Sequence, residues 1–151
     1  MKTPLSFLLA FLLLVPAAAA AAQTPDPQGA APATGTAPHQ IVVSYFHGDV
    51  RCPTCKKLEA YSREAVEKTF AAEIAAGRLA FKMVNTDRPE NEHFVTDYSL
   101  VTKALVVTEE SGGKVVRWTN LDKIWTLVRG DQQPYTDYVV AGVRAYLEST
   151  S

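Results

Sequence analysis

The two cysteines of the chain, Cys52 and Cys55, stand three positions apart in the sequence Cys-Pro-Thr-Cys. They follow an apolar run at residues 41–46 and open a helix-like run at residues 56–61. The first turn of a helix has unpaired N–H groups and a partial positive charge, and both favour a thiolate over a thiol. A thiolate at Cys52 can attack a disulfide, and Cys55 can then attack the resulting mixed disulfide. The pattern therefore predicts thiol–disulfide exchange, with Cys52 as the exposed nucleophile and Cys55 as the resolving thiol.

Positive side chains surround this pair in the sequence. Arg51 precedes it, and Lys56 and Lys57 follow it. Positive charge close to a thiol lowers its pKa, so these residues are predicted to support the Cys52 thiolate. An ordinary solvated helix face is the alternative interpretation of the same three charges.

Other residues near the pair are candidate supporting residues. Pro53 and Thr54 separate the two cysteines, and His47 ends the apolar run five positions before Cys52. His47 is a candidate proton carrier or third metal ligand, because imidazole suits both roles. A strand-end histidine without a role in chemistry is the simpler alternative.

Two other functions fit a lone cysteine pair. A structural disulfide across so short a loop restricts the unfolded chain little, so it would stabilise the fold weakly. A soft metal or metalloid site on Cys52 and Cys55 is the second alternative. A tetrahedral zinc site needs four ligands, whereas Cu(I) accepts fewer and softer ones, so copper is the metal to test.

The N-terminal segment has the pattern of a secretion signal. Lys2 gives a positive start, residues 5–15 are apolar, and residues 17–22 are all alanine. We expect cleavage near Ala22–Gln23 and hence export, most simply to the periplasm; an uncleaved membrane tether is the alternative. Residues 23–39 are rich in Pro, Ala, Gly and Thr and predict a flexible tether. Residues 40–151 then form one small domain.

Composition argues against several functions. The formal net charge is −1, with 15 basic and 16 acidic residues, so a nucleic-acid partner is not expected. No Gly-rich phosphate loop or dinucleotide fingerprint is present in the sequence, so no organic cofactor is expected.

Apolar spacing and turn residues predict the order β-α-β-α-β-β-α, with the last helical part doubled. The predicted strands are residues 41–46, 79–84, 104–108 and 114–118, with a hairpin turn at 111–113. The predicted helices are residues 53–76, ended by Gly77, then 89–98, a short helix capped by Asn120, and 135–147. A break near Tyr61 is expected in the first helix, because Ser62 with Glu64 has the pattern of a new helix cap. Trp118 and Trp125 are expected to pack in the core beside the last strand and helices; a partner surface is the alternative interpretation. The prediction is an α/β fold with a four-stranded mixed sheet flanked by helices.

This order, with a Cys-x-x-Cys motif after the first core strand, resembles the thioredoxin-like superfamily over residues 40–147. The strings YFHGDVRCPTC, NEHFVTDY and NLDKIW resemble, more narrowly, a family of small exported thioredoxin-like proteins named as a nitrophenyl-compound nitroreductase subunit. The resemblance implies a thioredoxin-like fold and thiol–disulfide oxidoreductase activity on protein or small-molecule disulfides. It also raises the alternative of a redox partner subunit that assists another enzyme.

The sequence departs from thioredoxins at two places. The position of their cis-proline falls at Ala104, after Lys103, so we expect a trans peptide bond there. The buried acid of thioredoxins has no clear match, and Ser44 lies nearest to its place. The expected docking of an extended protein substrate beside Ala104 is therefore in question.

Overall fold

The computed structural model describes residues 39–149. The predicted signal and all of the predicted tether except His39 lie outside the described residues. The elements in chain order are β1 (Gln40–His47), α1 (Pro53–Thr69), α2 (Ala71–Ala75), β2 (Leu79–Asn85), a 3-10 turn (Pro89–Asn91), α3 (His93–Asp97), β3 (Ala104–Ser111), β4 (Lys114–Asn120), α4 (Ile124–Leu127) and α5 (Gln132–Glu148).

The four strands form one mixed sheet in the order β2-β1-β3-β4. Strand β1 pairs in parallel with β2, so that Val43 lies opposite Phe81, and antiparallel with β3, so that Val43 lies opposite Val107. Because β1 is central and covered on both faces, it reads as a continuous apolar run rather than an alternating one. The predicted α/β architecture, a four-stranded mixed sheet flanked by helices, is confirmed.

The two faces of the sheet carry cores of different size. On one face the side chains of α1, α4 and α5 pack against alternate residues of β1 and β3, such as Tyr45 and Leu105. On the other face a smaller cluster joins Phe46, Tyr98, Ala104 and Val106. The larger core fixes α1, and α1 carries the cysteine pair at its first turn.

The predicted hairpin connects β3 and β4 through Gly112 and Gly113. Both residues have positive φ, at 63° and 73°. A two-residue loop with both central residues in this region matches a type I′ turn, which glycine adopts without steric cost. The hairpin prediction is confirmed.

The predicted break of the first helix near Tyr61 is wrong. Helix α1 continues to Thr69, and the interruption lies at Phe70, whose φ of −115° and ψ of 30° leave the helical region. Ser62 does not cap a new helix because it is fully buried and its hydroxyl lies 2.7 Å from the Tyr135 hydroxyl. Gly77 ends this helical region with φ of 71°, as expected.

Three further boundaries differ from prediction. Asn120 is the last residue of β4 and does not cap α4, whose N-cap is Lys123. The region predicted as one helix, 89–98, is a 3-10 turn followed by α3. Helix α5 begins at Gln132 rather than at residue 135, because Pro134 is tolerated in a first helical turn.

Within residues 39–149, no helix combines the length and the apolar character needed to cross a membrane.

Candidate active site

Cys52 and Cys55 form a disulfide at the N-terminus of α1, with Cα atoms 5.0 Å apart. Cys52 is the N-cap in extended backbone, and its sulfur accepts a hydrogen bond from the Cys55 N–H at 3.1 Å. Pro53 follows at the first helical position, where its missing N–H costs nothing. Cys52 is half-buried and Cys55 is 3% exposed. An incoming thiol therefore reaches Cys52 more easily than Cys55.

Tyr45 lies beneath the disulfide. Its side chain is fully buried, and its hydroxyl donates a hydrogen bond to the Cys55 carbonyl at 2.9 Å. Burial raises the pKa of Tyr45 to about 12, and the positive charge of Arg51 opposes that rise. Ser44 does not take this place, because alternate strand residues face opposite sides of a sheet. Tyr45 is thus the polar strand side chain that contacts the first turn of α1.

The three cations predicted to support the thiolate have different surroundings. Arg51 forms an ion pair with Glu59, and its buried Nε has no hydrogen-bond partner among the described residues. Lys57 turns away and donates to the Val128 carbonyl at 2.8 Å, while Lys56 is exposed. No acidic residue lies in the first turn of α1. Both cysteines therefore lie at the helix terminus, and Glu59 offsets the positive charge of Arg51.

The loop that leads into Cys52 is fastened to the end of β2. The Asp49 N–H donates to Asp87 at 2.8 Å, and the Asn85 amide donates to the Asp49 carboxylate at 2.7 Å. A Cβ atom at Gly48 would lie 2.6 Å from an Asp87 carboxylate oxygen, so glycine permits this close approach. These contacts hold the loop between β1 and the dithiol turn (Cys52–Cys55) against the end of β2.

His47 lies at the edge of a cavity of about 280 Å³ beside this loop. Its Nδ1–H donates to the Gly48 carbonyl at 2.9 Å, and its ring stacks on Tyr45 with centroids 6.2 Å apart. Val50 and Val101 also line the cavity and are 76% and 98% exposed. The cavity therefore opens between two exposed apolar side chains near the cysteine pair.

Ala104 is the first residue of β3 and pairs with Phe46. It is buried with Tyr98 and Val106 in the smaller core, and the Lys103–Ala104 bond is trans, since no described peptide bond is cis. Thr54, another candidate supporting residue, is exposed on the dithiol turn. Whether Ala104 acts on a substrate of the cysteine pair stays a prediction.

In the described part of the chain, the two sulfurs do not belong to a larger group of metal-binding side chains. Among residues 39–149, no group of three or more His, Cys, Asp and Glu side chains is placed to hold a metal ion. The predicted third ligand, His47, is hydrogen-bonded to its neighbour's carbonyl. Any metal would thus bind the two reduced sulfurs with few protein ligands.

Three residues at this site were missed by the sequence reasoning. Tyr45 and Glu59 contact the dithiol turn or its cation, and Trp125 donates its indole N–H to the Lys103 carbonyl at 2.8 Å. Strand alternation places Tyr45 on the same face as Val43, which was a usable signal. The partners of Glu59 and Trp125 depend on tertiary packing and leave no local pattern.

No family model matches the chain, and no curated protein matches it. Among solved structures, a thioredoxin from Thermus thermophilus matches with 18% identity and a TM-score of 0.37 over 60% of this chain and 72% of its own. Fasciola hepatica thioredoxin matches with 20% identity and a TM-score of 0.33 over 61% and 82%. A malarial protein matches with 15% identity and a TM-score of 0.36 over 54% and 80%. None of these three bears the narrower family name.

Proposed function

We propose that this chain is an exported thiol–disulfide oxidoreductase that acts through Cys52 and Cys55. The observation that carries the proposal is the disulfide at the N-terminus of α1, with Cys52 accessible and Cys55 buried. A structural disulfide across so short a loop stabilises the fold weakly, whereas an exchanging disulfide needs an accessible sulfur and a stabilised thiolate, which this placement provides.

The proposed exchange has two steps, in which each bond that forms is matched by one that breaks. A substrate thiolate attacks the Cys52 sulfur, a new S–S bond forms, and the Cys52–Cys55 bond breaks with its electron pair on Cys55. Cys55 takes up a proton from solvent. A second substrate thiolate then attacks the substrate sulfur of the mixed disulfide and displaces Cys52 as a thiolate. The substrate leaves as a disulfide, and the protein is reduced by two electrons; the reverse sequence reduces a substrate disulfide.

Export is part of the proposal and rests on the first 22 residues of the sequence. Lys2, the apolar run and the alanine tract together have the order of a cleavable signal. A periplasmic location also suits the chemistry, since disulfides persist in oxidising compartments. N-terminal sequencing of the protein recovered from the periplasm tests this directly, and a chain beginning at Met1 in the membrane fraction would contradict it.

The substrates are proposed to be protein or small-molecule thiols and disulfides. The narrower resemblance adds a finer proposal, in which the dithiol serves a partner enzyme that reduces nitrophenyl compounds. That reduction needs electrons, and the reduced cysteine pair is a two-electron donor. The finer proposal is tested by adding the reduced protein to such an enzyme and following oxidation of its thiols.

Unequal roles for the two cysteines provide the main test. With Cys55→Ser, a mixed disulfide on Cys52 has no resolving thiol, so covalent complexes with partners should accumulate in the periplasm. With Cys52→Ser, the remaining thiol is buried and few complexes should form. Non-reducing gels of both variants, with circular dichroism to show that both fold, measure the difference. Equal trapping by the two folded variants would overturn the assigned roles.

A reduction potential measured with and without one equivalent of Cu(I) separates the copper alternative. Tight binding would stabilise the reduced form and raise the potential, because it removes free dithiol from the equilibrium. An unchanged potential is expected for an oxidoreductase that does not carry copper. A large shift, together with no catalysis of disulfide exchange, would favour a copper-binding protein.

A further inference from the structure

Residues 101–103 form the wall between two cavities. On one side they line the 280 Å³ cavity together with Val50, and on the other they line a cavity of about 110 Å³ together with Trp125. Val101 is 98% exposed, and sheet pairing with β1 begins only at Ala104. The wall therefore stands beside the loop of the cysteine pair without being part of the sheet.

Trp125 holds this wall from the side of α4. Its indole N–H donates to the Lys103 carbonyl at 2.8 Å, and both residues are half-buried. The residue that follows the wall is alanine, which leaves φ free where proline would fix it. An indole N–H is a donor with a single direction, so this bond fixes where the Lys103 carbonyl points.

Helix α4 is itself anchored to the helix that carries the cysteine pair. The Val128 carbonyl, immediately after α4, accepts a hydrogen bond from Lys57 at 2.8 Å. Ile124 and Val128 are 1% and 2% exposed in the larger core. Helix α4 thus bridges α1 on one side and the 101–103 wall on the other.

We propose that Trp125 is a positioning residue that sets the 101–103 wall opposite Val50, so that an extended disulfide substrate can dock beside Cys52. The inference rests on the proposed function. Neither cysteine lines the 110 Å³ cavity beside Trp125, and Trp125 acts through its bond to Lys103. Its loss should weaken docking of a protein disulfide and leave the intrinsic reactivity of Cys52 unchanged.

The variant Trp125→Phe tests this, because phenylalanine keeps an aromatic ring and removes the N–H donor. With insulin as the substrate, KM should rise about 2- to 10-fold, the effect of one lost hydrogen bond, while kcat stays within about twofold. The alkylation rate of reduced Cys52 by iodoacetamide should not change. Amide hydrogen exchange at residues 102–104 should become faster.

Trp118→Phe is the matched control, since Trp118 lies on β4 and packs against Tyr98 on the other face of the sheet. The expected core position of Trp118 is wrong, because its side chain is 40% exposed on that face. It should change neither KM nor exchange at residues 102–104. The inference is overturned if Trp125→Phe leaves both KM and exchange at wild-type values, or if Trp118→Phe has the same effects. A parallel fall in kcat, alkylation rate and stability would also overturn it, since Trp125 would then be only structural. If the wild-type protein exchanges no disulfide at all, the proposed function fails, whereas the amide exchange comparison still decides whether Trp125 holds the wall.

Discussion

Two parts of helix α1 differ sharply in their surroundings. The dithiol turn, Cys52–Cys55, has one half-buried and one buried sulfur and two exposed residues between them. The buried stretch, residues 58–66, places Leu58, Ser62 and Val66 at 0% exposure against α5. One helix therefore has two separate roles. Packing of its buried stretch fixes the direction of the helix axis, so the dithiol turn keeps its position while it presents Cys52 to solvent.

If this separation holds, changes in the buried stretch should affect stability and leave the chemistry of folded molecules intact. Leu58→Ala should have the largest effect, lowering the free energy of unfolding by about 2–5 kcal/mol, because a buried leucine leaves a cavity. Urea unfolding of the oxidised protein measures this. The alkylation rate of Cys52 in the reduced, folded variant should match wild type. A marked change in that rate would show that the two parts are not separate.

A second test concerns the polar contact inside the buried stretch. The Tyr135 hydroxyl lies 2.7 Å from the Ser62 hydroxyl and donates to the Leu58 carbonyl at 3.2 Å. Tyr135→Phe and Ser62→Ala should each cost about 1–3 kcal/mol, since each leaves a buried polar group short of a partner. The double variant should cost less than the sum. Strict additivity would contradict a direct interaction between the two hydroxyls.

Tyr45 belongs to the larger core and also contacts the dithiol turn, so Tyr45→Phe tests whether the two parts of α1 are independent. Tyr45→Phe removes the hydrogen bond to the Cys55 carbonyl and should cost about 1 kcal/mol at neutral pH. The pKa of Tyr45 is raised to about 12 by burial, against about 10 for an unfolded tyrosine. Between pH 10 and 12 the unfolded chain therefore loses a proton that the folded chain keeps, and stability falls as pH rises.

Tyr45→Phe should lose less stability than wild type between pH 10 and 12, because the Tyr45 contribution to that fall is absent. Tyr135 contributes a decline of its own, because burial also raises the pKa of Tyr135, so Tyr135→Phe serves as the comparison. Unfolding curves at several pH values from 9 to 12 measure both. An alkaline decline in Tyr45→Phe as steep as in wild type would contradict a buried, protonated Tyr45.

Much of the fold was predictable from local pattern. The apolar run of β1, the glycine pair of the hairpin and the position of the cysteines before α1 all depend on residues close in sequence. The continuity of α1 past Tyr61 was not predictable, because Ser62 has the pattern of a helix cap in the sequence, and only the fold brings its hydroxyl to Tyr135, 73 positions away. Local capping patterns carry no information about such distant partners.

The two cysteines of the site were predicted from the sequence, but the contacts of the charged residues around them were not. The motif identified Cys52 and Cys55 and the expected difference in their exposure. Arg51 and Lys57 were identified as positive charges near the cysteines. In the structure, however, Arg51 forms an ion pair with Glu59, and Lys57 donates a hydrogen bond to the Val128 carbonyl. Charge counted along a sequence does not show which charges are offset in space, and only the folded helix does.

The central claim is that the dithiol turn activates Cys52 through its place at the helix terminus. The most direct measurement is the pH dependence of iodoacetamide alkylation of the reduced protein, with mass spectrometry to identify the labelled residue. We predict that Cys52 is labelled first and that the midpoint of its rate profile lies below about 8.5, the value of a free cysteine. A midpoint at or above that value, or labelling of Cys55 first, would contradict the account.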